Sequence, residues 1–267
     1  MKLEDYAQGD AFQSEKRAIF STEWLPACAE GQLSQPGDFL SLTVGGWSVI
    51  VTRDPAGKVN VLRNMCRHQN MPVVGVPGGH CESFRCRFHG WTFDLTGKFL
   101  GAPPPVAPRD PGANHDLIAL PVLVEAGIVF FSLDSLATKP SLGAVLPAYG
   151  GTIATEIAAN WKVVVEHLLG GRPPSDDFLW QPPLLALRRA GPLAIVEQIV
   201  PHTFLRTRLF THVFGAAAED HRQIAEVLKT DCEVLQGSRA AGAMAADDGP
   251  LLSAFHQQIE RAYTGIS

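Results

Sequence analysis

The sequence has no apolar run long enough to cross a bilayer. Its longest, around "AGIVFFSL", is less than half of a span. There is no basic run either, and the net charge is -5. A chain of that balance has nothing to track a phosphate backbone, so neither nucleic acid nor membrane is an expected partner. The opening "MKLEDYAQGDAFQSEKR" lacks the apolar core of a signal peptide. Internal repeats and low-complexity tails are absent as well. Cysteine is scarce: five residues, an odd number, unevenly spread. That argues against a disulfide framework and for a reducing, cytoplasmic compartment.

What is present is an ordinary globular balance, 46% hydrophobic and 18% charged, over 267 residues. That length allows two modest domains or one large one. From Ile19 to about Leu133 the chain reads as short strands and turns. "DFLSLTVGGWSVIVTRDPAGKVNVLRN" holds two or three β-rich runs, broken at Gly45-Gly46 and at Asp54-Pro55-Ala56-Gly57. "WTFDLTGKFL" reads as a hairpin turning at Thr96-Gly97. "GAPPPVAPRDPG" is a proline-rich loop. Residues 134–151 read as a linker. Beyond them the period changes: Trp161, Val164, Val165, Leu168 and Leu169 fall on one helix face, with Asn160 as its cap and Gly170-Gly171 as its stop. Two strands follow, "LAIVEQIVP" and "TFLRTRLFTHVFG". Two amphipathic helices end the chain, the last with Pro250 near its first turn.

Two short loops carry the chemistry. "CRHQNM" places Cys66 and His68 two apart; "CRFHGW" places Cys86 and His89 three apart. Zinc accepts two Cys and two His, but such sites usually pair Cys with Cys and His with His in sequence. Here each loop supplies one of each. Mixed loops suit a Rieske [2Fe-2S] cluster, in which two Cys hold one iron and two His the other.

The pattern C-x-H-(17)-C-x-x-H followed by Gly-Trp, with its flanks "NMCRHQNM" and "FDLTGKF", resembles the Rieske domains of ring-hydroxylating oxygenases and related N-demethylases. One departure is Gln69-Asn70, where the family often has Arg-Gly; it bears on local packing and hydrogen bonding, not on ligation. The resemblance implies that Cys66, His68, Cys86 and His89 ligate the cluster. Rieske proteins of respiratory bc complexes add a disulfide between the loops. The matching positions here are Met71 and Phe88, so a low potential is expected, near about -150 mV. Cys28, Cys81 and Cys232 match no ligand position, and His80 reads as a solvated loop residue.

In this family a catalytic domain follows, holding a mononuclear iron by two His and one carboxylate. "NWKVVVEHLL" and "LKTDCEVLQGSRAAGAM" resemble two of its helices. Between them, "GGRPPSDDFLWQPP" departs from the family: Gly171 stands near the bridging acid, Pro173 or Pro174 near the first His, and Leu179 near the second. The later strands also arrive early, as if part of the domain were missing. Asp231 matches the third iron ligand, in a stripe of Ile224, Val227, Leu228 and Leu235. A set rebuilt from His212, His221 and Asp231 is conceivable, with His167 and His202 also available, but no spacing requires it.

The expected fold is therefore α+β: an N-terminal extension (1–18), an antiparallel β Rieske domain (19–133), a linker (134–151) and a truncated oxygenase-type α+β domain (152–267). The expected role is an electron-transfer or accessory subunit of an oxygenase system, with a [2Fe-2S] cluster and no mononuclear iron of its own. The resemblance implies a reductase or ferredoxin as donor, and an oxygenase partner subunit or a homotrimer. The alternative is an active oxygenase or demethylase, on an aromatic-ring or N-methyl substrate, with a rebuilt iron site.

Overall fold

The structure is a computed structural model that describes residues 3–110, 112–170, 177–240 and 249–264. It opens with helix α1 (Gly9–Ala18). Eleven strands follow. They are β1 (Trp24–Ala29), β2 (Asp38–Val44), β3 (Trp47–Arg53), β4 (Val59–Arg63), β5 (Gly78–His80) and β6 (Phe84–Arg85). After these come β7 (Thr92–Phe93), β8 (Phe99–Gly101), β9 (Ala119–Leu120), β10 (Val122–Glu125) and β11 (Ile128–Ser132). The second half is β12 (Tyr149–Ile157), α2 (Trp161–Leu169), β13 (Phe178–Gln181), β14 (Leu185–Ala190), β15 (Leu193–Thr203), β16 (Arg206–Phe214), α3 (Arg222–Ala240) and α4 (Pro250–Thr264). The fold is α+β with antiparallel sheets. No helix among the described residues is long and apolar enough to cross a membrane.

The first half builds three sheets, ordered β5-β2-β3-β4-β9, β1-β11-β10 and β6-β7-β8. Its turns lie where glycine allows them. Gly45 and Gly46 both take positive φ between β2 and β3, and Gly57 does so between β3 and β4. Asp54 closes that second turn by accepting from Ala56 N and Lys58 N. Asp94 closes the β7–β8 turn in the same way, accepting from Thr96 N and Lys98 N.

The second half is one sheet, β12-β16-β15-β14-β13, covered by helices. Asn160 caps α2 by accepting from Lys162 N, as its position predicts. Helix α2 is not amphipathic in its setting, however. Every described side chain on it except His167 is buried, including Lys162 and Glu166. These two charges are answered from outside the sheet. Lys162 Nζ meets Glu15 Oε1 at 2.5 Å, and Glu15 also accepts from Trp161 Nε1 and Tyr263. Glu166 accepts from Tyr6, Arg239 and His256. So the polar segment expected to be an N-terminal extension sends two side chains into the core of the second half, Glu15 from α1 and Tyr6 from a short 3-10 helix (Leu3–Tyr6) before it.

Strand β12 begins at Tyr149, inside the segment expected to be linker. The two halves are stitched at Gln198, whose amide donates to Pro26 O and Ala27 O on β1, both at 2.9 Å.

Candidate functional site

The two loops carrying Cys66 and Cys86 are the same turn made twice. Cys66 N donates to Met71 O and Asn70 N to Cys66 O; Cys86 N donates to Trp91 O and Gly90 N to Cys86 O, all at 2.8 Å. Asn70 (φ 58°) and Gly90 (φ 72°) hold the matching left-handed position in each. Glycine reaches that region freely, and asparagine more readily than most residues. The departure from the family's Arg-Gly is thereby explained: Asn70 performs the glycine's turn.

This duplication sets the donors in two unlike pairs. Cys66 and Cys86 are buried, and their thiols hydrogen-bond to each other. Burial raises the Cys66 thiol's pKa, and the Cys86 sulfur raises it further, while the His68 and Gln69 N–H groups donate to the Cys66 sulfur and oppose this. His68 and His89 face each other edge to face, with ring centroids 4.7 Å apart. Trp91 stacks on His68 at 5.1 Å and 12°, and its Nε1 donates to Val106 O at 2.8 Å.

Under the first loop lies Asn64. Its amide accepts from Val73 N and Val74 N at 2.9 Å and donates to Val74 O at 2.8 Å and Ser41 Oγ at 3.1 Å. This side chain, which sequence reasoning missed, ties the loop to its scaffold where no disulfide does. All five cysteines are free thiols.

The donor set fits a two-metal group. Sulfur meets sulfur and imidazole meets imidazole, whereas a single zinc ion would draw all four together. Among the described residues no three His, Cys, Asp or Glu converge as around one ion. The His68 Nδ1 atom is buried and has no hydrogen-bond partner, a cost that metal ligation removes.

Residues 23–122 match the Rieske [2Fe-2S] domain family. The chain carries a Rieske domain. It is homologous to the alpha subunits of ring-hydroxylating oxygenases. It is 28% identical over 182 residues to the biphenyl 2,3-dioxygenase alpha subunit of Rhodococcus jostii, covering 61% of this chain and 39% of that one. It is 30% identical over 202 residues to the large oxygenase component of salicylate 5-hydroxylase from a Ralstonia species, covering 66% and 48%. The matched segment thus spans less than half of each of these curated relatives. In fold it is similar to the apo form of the quaternary ammonium Rieske monooxygenase CntA: TM-score 0.78, 19% identity, 98% of this chain and 94% of that one. It is also similar to naphthalene 1,2-dioxygenase with indole bound: TM-score 0.64, 17% identity, 99% and 80%.

Beyond the Rieske domain, the expected iron residues scatter. Gly171, Pro173 and Pro174 lie outside the described residues. Leu179 is on β13, half-buried against apolar neighbours. Asp231 is not in a buried stripe. The inward face of α3 is Ala225, Leu228 and Cys232, while Ile224 and Val227 are exposed. The Asp231 carboxylate is half-exposed and lies 3.8 Å from His167 Nε2. His212 is fully buried with both ring nitrogens engaged, Nδ1 with Thr152 Oγ1 at 2.7 Å and Nε2 with Gln198 Oε1 at 2.9 Å. Because the Gln198 amide nitrogen donates to β1, its oxygen must accept, so Nε2 carries the proton and Nδ1 accepts from Thr152. Burial lowers the His212 pKa to about 3. It is a structural imidazole, not a spare ligand. His80 is exposed, as expected, but ends strand β5 and pairs with Asp38 at 3.0 Å.

Proposed function

We propose that Cys66 and Cys86 hold one iron of a Rieske [2Fe-2S] cluster, that His68 and His89 hold the other, and that the chain is the electron-carrying component of an oxygenase system. The observation that carries the reading is the duplicated turn, which brings thiol to thiol and imidazole to imidazole. The cluster supplies one-electron chemistry when bound. The chain's own part is to shield the thiolates, to fix the His68 plane with Trp91, and to hold the first loop with Asn64. With Met71 and Phe88 in place of a disulfide, the potential should lie toward the low end, near about -150 mV.

In this reading the chain accepts an electron from a reductase or ferredoxin and passes it to a partner's iron. It has no mononuclear iron of its own. Two features support this: "GGRPPSDDFLWQPP" contains no imidazole, and His212 is occupied within the sheet.

A second reading is favoured by one specific contact. Asp231 and His167 stand 3.8 Å apart on neighbouring helices, and the fold follows an oxygenase's over nearly its whole described chain. An iron gathered there would make the chain an active oxygenase, as several relatives are named.

The two readings separate on metal content. Ferrous iron is added anaerobically to cluster-loaded protein, the excess is removed, and bound iron is counted. The electron-carrier reading expects two irons per chain before and after, unchanged in Asp231→Asn. A third tightly bound iron, released by both Asp231→Asn and His167→Ala, establishes the oxygenase reading instead.

A further inference from the structure

Helices α1 and α4 border a cleft of about 790 Å³, within the roughly 300–1,000 Å³ range of small-molecule sites. Its other walls are the segment between the two halves and the β13–β14 turn. Helix α4 presents two faces. Leu252, Phe255 and Ile259 are buried in the core, while Ala254, Gln258, Arg261 and Ala262, at helical spacing, form the stripe that lines the cleft. None of the lining residues belongs to the cluster loops, to α2 or to α3, so the cleft is separate from both places considered for iron.

The apolar part of the lining is aliphatic, with Ile19 and Pro182 facing the alanines of α4 and no aromatic ring. The polar groups are of two kinds. Thr22 and Gln181 are engaged: the Thr22 hydroxyl donates to Ala18 O at 2.9 Å, and Gln181 Nε2 donates to Pro182 O at 3.2 Å. Lys139, Arg261, Thr138 and Gln258 are not. Among the described residues neither cation makes an ion pair, and neither Thr138 nor Gln258 makes a side-chain hydrogen bond. Glu23 is the one acid lining the cleft, and among the described residues it pairs with no cation; burial pushes its carboxyl pKa up. An aliphatic cleft with free donors, and with two cations against one acid, is equipped to receive an anion.

We infer that this cleft binds a small aliphatic monocarboxylate, with Lys139 and Arg261 on its carboxylate and Ile19, Pro182 and Ala254 against its chain. Two cations less one acid leave a single positive charge, which one carboxylate balances. A second carboxylate on the ligand would face Glu23 without a partner, and that sets the preference for monoacids. The occupant touches α1, the segment between the halves and α4 together, so its binding stabilises the fold as occupancy rises.

The test is equilibrium dialysis of radiolabelled hexanoate against the whole chain, with hexanamide as its uncharged isostere and adipate as a diacid. Hexanoate should bind about tenfold or more tighter than either. Arg261→Gln and Lys139→Gln should each weaken hexanoate about tenfold. Ala254→Trp, which fills the cleft from an exposed helix position, should abolish binding. Arg206→Gln, a charge change outside the cleft, should leave it unaltered. Glu23→Gln should bring adipate toward the affinity of hexanoate. The melting temperature of the unaltered chain should rise with hexanoate and not with hexanamide. The comparison of acid with amide needs no variant, so a substitution that unfolds the chain does not decide the matter. No binding of hexanoate, or equal binding of hexanoate and hexanamide, overturns the inference. So does hexanoate binding indifferent to all three cleft substitutions, which would place the acid elsewhere in the molecule. Adipate binding as tightly as hexanoate to the unaltered chain refutes the preference for monoacids.

Discussion

The imidazole of His68 lies nearly parallel to the indole of Trp91, 5.1 Å from centroid to centroid and 12° apart in plane. Trp91 is itself fixed by its Nε1 bond to Val106 O, by a tilted contact with Phe99 and by edge contact with His115. The indole is therefore a wall that sets the imidazole's plane. Trp91→Ala should lower unfolding free energy by about 3–5 kcal/mol and lose iron on dialysis. Trp91→Phe keeps a flat face and should retain iron. Equal iron retention by both variants would show that the stack does not orient His68.

Asn64 satisfies four partners with one amide. Asn64→Ala leaves Val73 N, Val74 N and Val74 O without their bonds, at a cost of about 2 kcal/mol or more. The cluster should leave faster under chelator challenge, because the tie between the first loop and strand β2 is cut. Unchanged loss rates would place that tie elsewhere.

Glu15 and Lys162 form a fully buried pair, 0% exposed on both sides. Removing one partner strands the other charge, so Glu15→Ala should cost about 3–5 kcal/mol. Deleting the first eighteen residues should do comparable damage. Chemical denaturation checks both. A Glu15→Ala cost within about 0.5 kcal/mol, the range of an ordinary surface change, would mean that α1 is only appended.

What the sequence made legible was local. The turns at Gly45-Gly46 and Asp54–Gly57, the cap at Asn160 and the two Cys/His loops each depend on neighbours within a few residues. What it hid was distant. Nothing near Glu15 announces that its partner is Lys162, 147 positions away, so a helix anchored by one buried carboxylate reads as a polar extension. Helix α3 misled for another reason. Ile224, Val227 and Val234 are apolar yet exposed, while small Ala225 and Cys232 face inward. An apolar stripe drawn from side-chain type alone therefore put Asp231 on the wrong face.

His212 gives the pH dependence a sign. Its folded pKa, about 3, lies below the unfolded value near 6.5. Between those values the unfolded chain binds the extra proton. Its contribution to stability is therefore complete above about pH 6.5 and is lost as pH falls toward 3, with a slope up to about 1.4 kcal/mol per pH unit. Denaturant midpoints at pH 7 and pH 5 should differ, and His212→Gln should flatten that difference. A stability that rises on acidification over this range would mean that His212 is charged in the fold.

Iron and acid-labile sulfide in anaerobically purified protein, read together with the electron paramagnetic resonance of the reduced state, bear most directly on the duplicated turn as a cluster site. Two irons, two sulfides and a Rieske-type signal per chain are expected, with the signal lost in both His68→Ala and His89→Ala. Zinc as the sole metal, or a Rieske signal that survives either substitution, would contradict it.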